Sequence, residues 1–184
     1  QIATIGENIT IRRFARIKSD GLVVGYVHGG GRIGVLVEAQ ADDNDANKEA
    51  LKNVAMQVAA MNPQYISRDN MSEAELANLK EVVIDSSLNT PETLAKPILV
   101  RMINEVLSES LWSAEDAAIY EEQKNNLNYL FNFLSKEAKS IVAAQAMKNK
   151  ESIVTDKIFS GLVEGRFSKQ LKDICLLDQV YVKA

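Results

Sequence analysis

The sequence predicts an α+β fold: a three-stranded antiparallel meander covered by helices, with an antiparallel helical hairpin inserted as a coiled-coil-like arm. Three observations carry that prediction. Apolar residues alternate with a period of two from residue 9 to residue 39, then shift to helical spacing from residue 46 onward. Further along, apolar residues return every seven positions, the period of helices that pack along a seam.

Residues 9–18 (ITIRRFARIK) place Ile9, Ile11, Ala15 and Ile17 on one face, interrupted by Arg13. Asp20-Gly21 offers a turn, and Leu22, Val24 and Tyr26 continue the alternation. After a run of glycines, Ile33, Val35, Val37 and Ala39 alternate with Gly34, Leu36 and Glu38. Connections this short join antiparallel neighbours. Three strands with one apolar face need a cover. Residues 46–61 provide it, with Ala50, Leu51, Val54, Ala55, Val58 and Met61 in one helical stripe. Asn44 or Asp45 caps its start and Asn62-Pro63 stops it. Ser72-Glu73-Ala74-Glu75 is a capping box that opens a second helix, running to about Ile84.

In the middle of the chain, Thr90-Pro91 begins a helical stretch carrying Leu99, Met102, Ile103, Val106 and Leu107, which Pro97 kinks or delays. Ser113 with Asp116 caps a longer helix, expected over 114–149, on which Tyr120, Leu127, Leu134 and Ile141 recur with Phe131 and Ala138. The short connection at Leu111-Trp112 makes the two an antiparallel hairpin. A last helix over 156–173 carries Ile158, Phe159, Leu162, Val163, Phe167 and Leu171, and the extended tail CLLDQVYVK ends the chain. The expected organisation is a core of residues 1–80 and 155–184 with an inserted helical arm of residues 81–154.

Composition narrows the function. A formal charge of −4 over 184 residues opposes a nucleic-acid surface, which needs a concentrated positive field. The basic stretch runs the other way, but Arg12, Arg16 and Lys18 share a strand face with Thr10 and Phe14, as on a solvated sheet face. One cysteine, Cys175 between Ile174 and Leu176, reads as a buried thiol in a reducing compartment and points to the cytoplasm. No apolar run approaches the ~20 residues that span a bilayer, so no membrane partner is expected. With one histidine and no cysteine or carboxylate cluster beside it, no metal is expected. EAQADDND lacks the glycine and spacing of a calcium loop. The chain begins with Gln1, and the expectation is a piece of something longer.

The stretch YVHGGGRIG (Tyr26–Gly34) admits three readings. His28 to Gly31 matches the oxyanion-hole loop of esterases, but no Gly-x-Ser-x-Gly elbow accompanies it and no second histidine exists. Gly29-x-Gly31-x-x-Gly34 matches the bare dinucleotide pattern, but RIGVLVEAQ alternates as a strand does instead of opening a helix. A hairpin turn remains, because glycine tolerates positive φ. At its edge, the plainest reading of His28 by chemistry alone is an ordinary side chain at a strand end.

Four blocks of residues go further. IGENITIRR (Ile5–Arg13), YVHGGGRIGVLVE (Tyr26–Glu38), NKEALKNVAMQVAAMNPQYIS (Asn47–Ser67) and GLVEGRFSKQLKDICLLDQVYVK (Gly161–Lys183) together resemble translation elongation factor Ts, in that family's order. The resemblance implies a guanine-nucleotide exchange factor for elongation factor Tu, not an enzyme, with no cofactor. It implies partner contacts at Ile5, Gly6, Glu7 and Asn8, at His28 and Gly29 of the hairpin, and at Leu162, Val163 and Gly165 beside that surface. Residues 81–154 stand where the family carries its helical dimerisation arm, and the resemblance allows a homodimer through that arm without requiring one. The family's N-terminal helical module and its Thr-Asp-Phe motif have no counterpart in these residues, so no residue here inherits the Asp-Phe role. The sequence is expected to start after both and to end before the family's C-terminal module. The triple glycine is one residue longer than the common pattern, and Val180 replaces a usual proline.

Overall fold

The alternation starting at Leu22 and at Ile33 produces two strands, β1 (Leu22–His28) and β2 (Ile33–Ala39). They pair antiparallel, in register from Leu22↔Ala39 to His28↔Ile33. Leu22, Val24, Tyr26, Val35, Val37 and Ala39 form the more buried face, and Val23, Val27 and Leu36 the exposed one. These elements come from a computed structural model that describes residues 2–8 and 10–183. It divides into unit 1, residues 1–62 with 180–184, and unit 2, residues 63–179.

Unit 1 opens with one helical turn, α1 (Ile2–Ile5). Its sheet is covered by α2 (Asp45–Met61), which contacts both strands. Asn44 caps α2, its side chain accepting from the Asn47 N–H at 2.9 Å. Asn62 ends it in the left-handed region at φ 46°. The tail returns to this helix: the buried Gln57 carboxamide donates to the Val180 carbonyl at 3.1 Å and accepts from the Val182 N–H at 2.9 Å.

The expected third strand is corrected. Residues 10–18 lie in no strand, and Ile9 falls outside the described residues. The connection explains why. The Ser19 hydroxyl donates to the Glu38 carboxylate on β2 and accepts from the Gly21 N–H at 2.9 Å. A Cβ at Gly21 would run into the Ala39 carbonyl, so the chain passes tight against β2. It is tied to the far strand and does not double back along the free edge of β1. Ile11 and Phe14 are left 81% and 91% exposed.

Unit 2 is helical: α3 (Glu73–Leu88), α4 (Lys96–Ser108), α5 (Ala114–Gln123), α6 (Leu127–Phe133), α7 (Lys136–Lys148), α8 (Lys150–Ile153) and α9 (Lys157–Ile174). The Ser72–Glu75 capping box opens α3 as expected. Pro97 sits in the first turn of α4, where its missing N–H costs nothing. The single helix expected over 114–149 is instead three. Asn125-Asn126 interrupts it with residues that compete poorly for helix. Ser135 then restarts it as a cap, its hydroxyl accepting from the Ala138 N–H at 3.0 Å. Tyr120, Leu130, Phe131, Leu134 and Ala138 are nevertheless buried in one core, with Leu127 and Ile141 packed against it. The seven-residue period marked core positions correctly but not one continuous rod.

In that core α4 packs on α7 and α3 on α9. Met102, Ile103, Val106, Leu130, Val142, Ile153 and Phe159 are sealed from solvent. A smaller cluster joins Met71, Leu171 and Cys175. Burial pushes the Cys175 thiol pKa up, in keeping with an inert packing residue. The expected boundaries at residues 80/81 and 154/155 both fall inside unit 2. Among the described residues no helix is long and apolar enough to cross a membrane.

Candidate partner-binding site

The hairpin tip is built by glycine. Gly29, Gly30 and Gly31 have φ of +61°, +65° and +92°, a region that costs an L-residue roughly 1–2 kcal/mol per position. With Arg32 they form the turn between His28 and Ile33. The chain leaves this turn as a strand, so no helix N-terminus gathers amides for a pyrophosphate. The hairpin reading of the glycine run therefore holds.

His28 is exposed at the end of β1. Residues two apart on a strand share a face, and the Tyr26 hydroxyl meets His28 Nδ1 at 2.9 Å. The two rings lie 6.0 Å apart between centroids, tilted by 33°. That bond orients the imidazole and leaves Nε2 with no partner among the described residues. Exposed Arg32, also unpaired among them, adds a cation at the tip. Sequence reading missed both Tyr26 and Arg32, although the period of two already placed Tyr26 beside His28.

Ile5, 52% exposed, ends α1, and Gly6 leaves that turn at φ +75° with open space beside its Cα. Glu7 and Asn8 are exposed. The three remaining candidates lie on α9, whose first turn is capped by Asp156 accepting from the Ile158 and Phe159 N–H groups at 2.8 and 3.2 Å. The helical period separates them. Val163, 3% exposed, belongs to the core with Phe159, so its side chain serves packing and not a surface contact. Leu162 packs half-buried against that core, and Gly165 alone is exposed, with nothing near its Cα. Thus Ile5 to Asn8, His28 and Gly29 belong to unit 1, while Leu162, Val163 and Gly165 belong to unit 2.

Residues 1–114 match the Elongation factor TS family. The chain belongs to the elongation factor Ts family. Elongation factor Ts of Halothermothrix orenii is 41% identical over 110 residues, covering 59% of this chain and 37% of that protein. Elongation factor Ts of Clostridioides difficile is 32% identical over 184 residues, covering 100% of this chain and 40% of its own length. That of Clostridium kluyveri is 42% identical over 120 residues, 60% of this chain and 39% of the relative. The chain thus spans about two fifths of the length of the curated relatives it matches. No solved structure matches. The elongation factor Ts match at 1–114 includes the hairpin tip and the Ile5–Asn8 segment, whereas the α9 candidates fall within the full-length similarity to the C. difficile protein.

Proposed function

We propose that this chain is a docking module of a guanine-nucleotide exchange factor that binds elongation factor Tu during translation elongation in the cytoplasm. The observation that carries the reading is an exposed imidazole, held by Tyr26 at the rim of a glycine turn, in a chain of the elongation factor Ts family. His28 and Gly29 at the tip, with Ile5, Gly6, Glu7 and Asn8, form the contact surface, and Gly165 on α9 is a further contact. The module does no covalent chemistry. It promotes GDP release by linkage: a factor that binds nucleotide-free Tu better than Tu·GDP weakens GDP by the same factor that GDP weakens it. Thr-Asp-Phe does not occur within these 184 residues, so docking is retained here and most of the disturbance of the nucleotide site is not.

The test is a titration of Tu·GDP with this chain, followed by stopped-flow release of labelled GDP. Binding should be detectable, weakened about tenfold by His28→Ala, the size of a modest hot spot, and GDP release should accelerate little. Absence of binding, or indifference to His28→Ala, would overturn the assignment of the tip. Release as fast as with a full-length relative would place the exchange mechanism in the docking residues themselves.

A second reading makes residues 81–154 the inserted arm of a core formed by 1–80 and 155–184, serving as an oligomerisation module. Tyr129 and Phe133, one turn apart on α6 and 56% and 57% exposed, favour it. A homodimer in sedimentation that Phe133→Ser dissolves would support that arm.

A further inference from the structure

A groove beside β1 plays no part in that reading. In a two-stranded ladder only alternate residues of each strand direct their N–H and C=O toward the partner, and the rest point to the open edge. Among the described residues, Leu22–His28 make no backbone hydrogen bond outside the β1–β2 ladder. Val23, Val24 and Gly25 of this strand form one wall of a groove of about 740 Å³, and no residue of β2 lines it. Successive strand side chains point to opposite faces, so a wall of three consecutive residues is the strand edge itself. The opposite wall is one side of α2, with Lys48, Lys52, Asn53 and Met56, and Lys183 of the tail borders it too. The space has the position and walls of a missing strand.

Charge and chain path say which strand fits. Lys52 has no partner among the described residues. Among the described residues Lys183 Nζ meets only the Asn53 amide oxygen, at 2.9 Å, and Lys48 pairs with Asp43. With Lys48 already paired to Asp43, Lys52 and Lys183 stand against one acid among the described lining residues, Glu49. Residues 10–18, with Arg12, Arg13, Arg16 and Lys18, would bring like charges, and Ser19 ties that segment to β2 on the other side of the sheet. The same basic segment from a second copy fails for the first of these reasons. We infer that the edge of β1 and the groove along α2 bind an extended acidic segment of a partner protein as an added strand. Its backbone pairs with the edge, and its alternate carboxylates meet the lysines. Strand addition of this kind takes affinity from main-chain bonds and specificity from alternate side chains.

The experiment uses the whole 184-residue chain and an end-blocked, labelled eight-residue peptide of alternating valine and glutamate, with a valine–lysine peptide as the control. The glutamate peptide should raise fluorescence anisotropy and slow hydrogen exchange at Leu22–His28 amides. Lys52→Glu, at an exposed position, should weaken it about tenfold and Lys183→Glu similarly, both effects shrinking with added salt. Equal binding of the lysine peptide would overturn the inference, as would protection appearing elsewhere than β1. Edge amides already protected before any peptide is added would assign the groove to residues 10–18 and overturn it too. Tu takes no part in the assay, so its outcome is independent of the GDP-release experiment.

Discussion

In unit 2 the side chains of Leu88, Met102, Ile103, Val106, Leu130, Val142, Ile153 and Phe159 are sealed from water, whereas in unit 1 the buried apolar side chains among the described residues are Leu22 and Ala55. Ile11, Phe14, Val27 and Leu36 of unit 1 face solvent, each more than half exposed. The compositions do not differ enough to explain this; the number of layers does. In unit 2 the apolar stripes of several helices meet one another from different sides. In unit 1, among the described residues, one helix covers one face of two strands, and Val23, Val27 and Leu36 of the other face are exposed. Two strands are marginal without further support, and unit 1 supplements its apolar contacts with polar ties such as the Gln57 grip on the tail. The candidate tip and the open strand edge both lie in the thinly packed unit, where surfaces free to bind partners are expected.

The largest effect should come from Phe159, which is 1% exposed in the main core. Phe159→Ala should destabilise unit 2 by about 3–5 kcal/mol, read as an earlier urea midpoint in the helical signal. Hydrogen exchange should show the helices opening while protection in the β1–β2 ladder is unchanged. Ladder and helices losing protection together would break the comparison between the units.

Asp116 should come next. Its carboxylate accepts from the Ser135 N–H at 2.9 Å and from the hydroxyls of Ser113 and Ser135 at 2.8 and 3.0 Å. It thereby joins the start of α5 to the start of α7. Burial pushes its pKa up, but these bonds outweigh burial and hold it below the ordinary aspartate value. A depressed folded-state pKa contributes stability above the unfolded value, lost as pH falls through the folded one. Unit 2 should therefore weaken as pH drops below about 4. Asp116→Ala should cost about 2–3 kcal/mol at neutral pH and flatten that acid dependence. An unchanged acid slope in the variant would show that other carboxylates govern it.

The smallest effect sharpens the contrast. Ser110 ends α4 at φ 54°, with the Leu111 N–H on the Val106 carbonyl and its own N–H on Leu107, both at 3.0 Å. This is the helix stop in which glycine is the usual occupant. Ser110→Gly should stabilise unit 2 by about 1 kcal/mol, seen as a later thermal midpoint for the helices with no shift in exchange of the ladder.

Features fixed by neighbouring residues were legible in the sequence. The Asn44 cap, the Ser72–Glu75 box, the Ser113–Asp116 cap, the glycine turn and the place of His28 at its rim each depend on a few adjacent positions. The family blocks likewise placed the chain before any coordinate did. What tertiary structure alone decided concerns pairs far apart in sequence. Alternation makes residues 10–18 fit for a strand, but they lie in none, and Ser19 after them bonds Glu38 of β2. A seven-residue period suits one helix or three, and Asp116 reaching Ser135 accompanies the break. Residues Leu162 to Gly165 read as one surface motif, yet packing buries Val163 and leaves Gly165 open. A periodic pattern states which residues share a face. It does not state what that face meets, because the partner comes from a distant part of the chain and is chosen by packing and hydrogen bonding in the folded molecule.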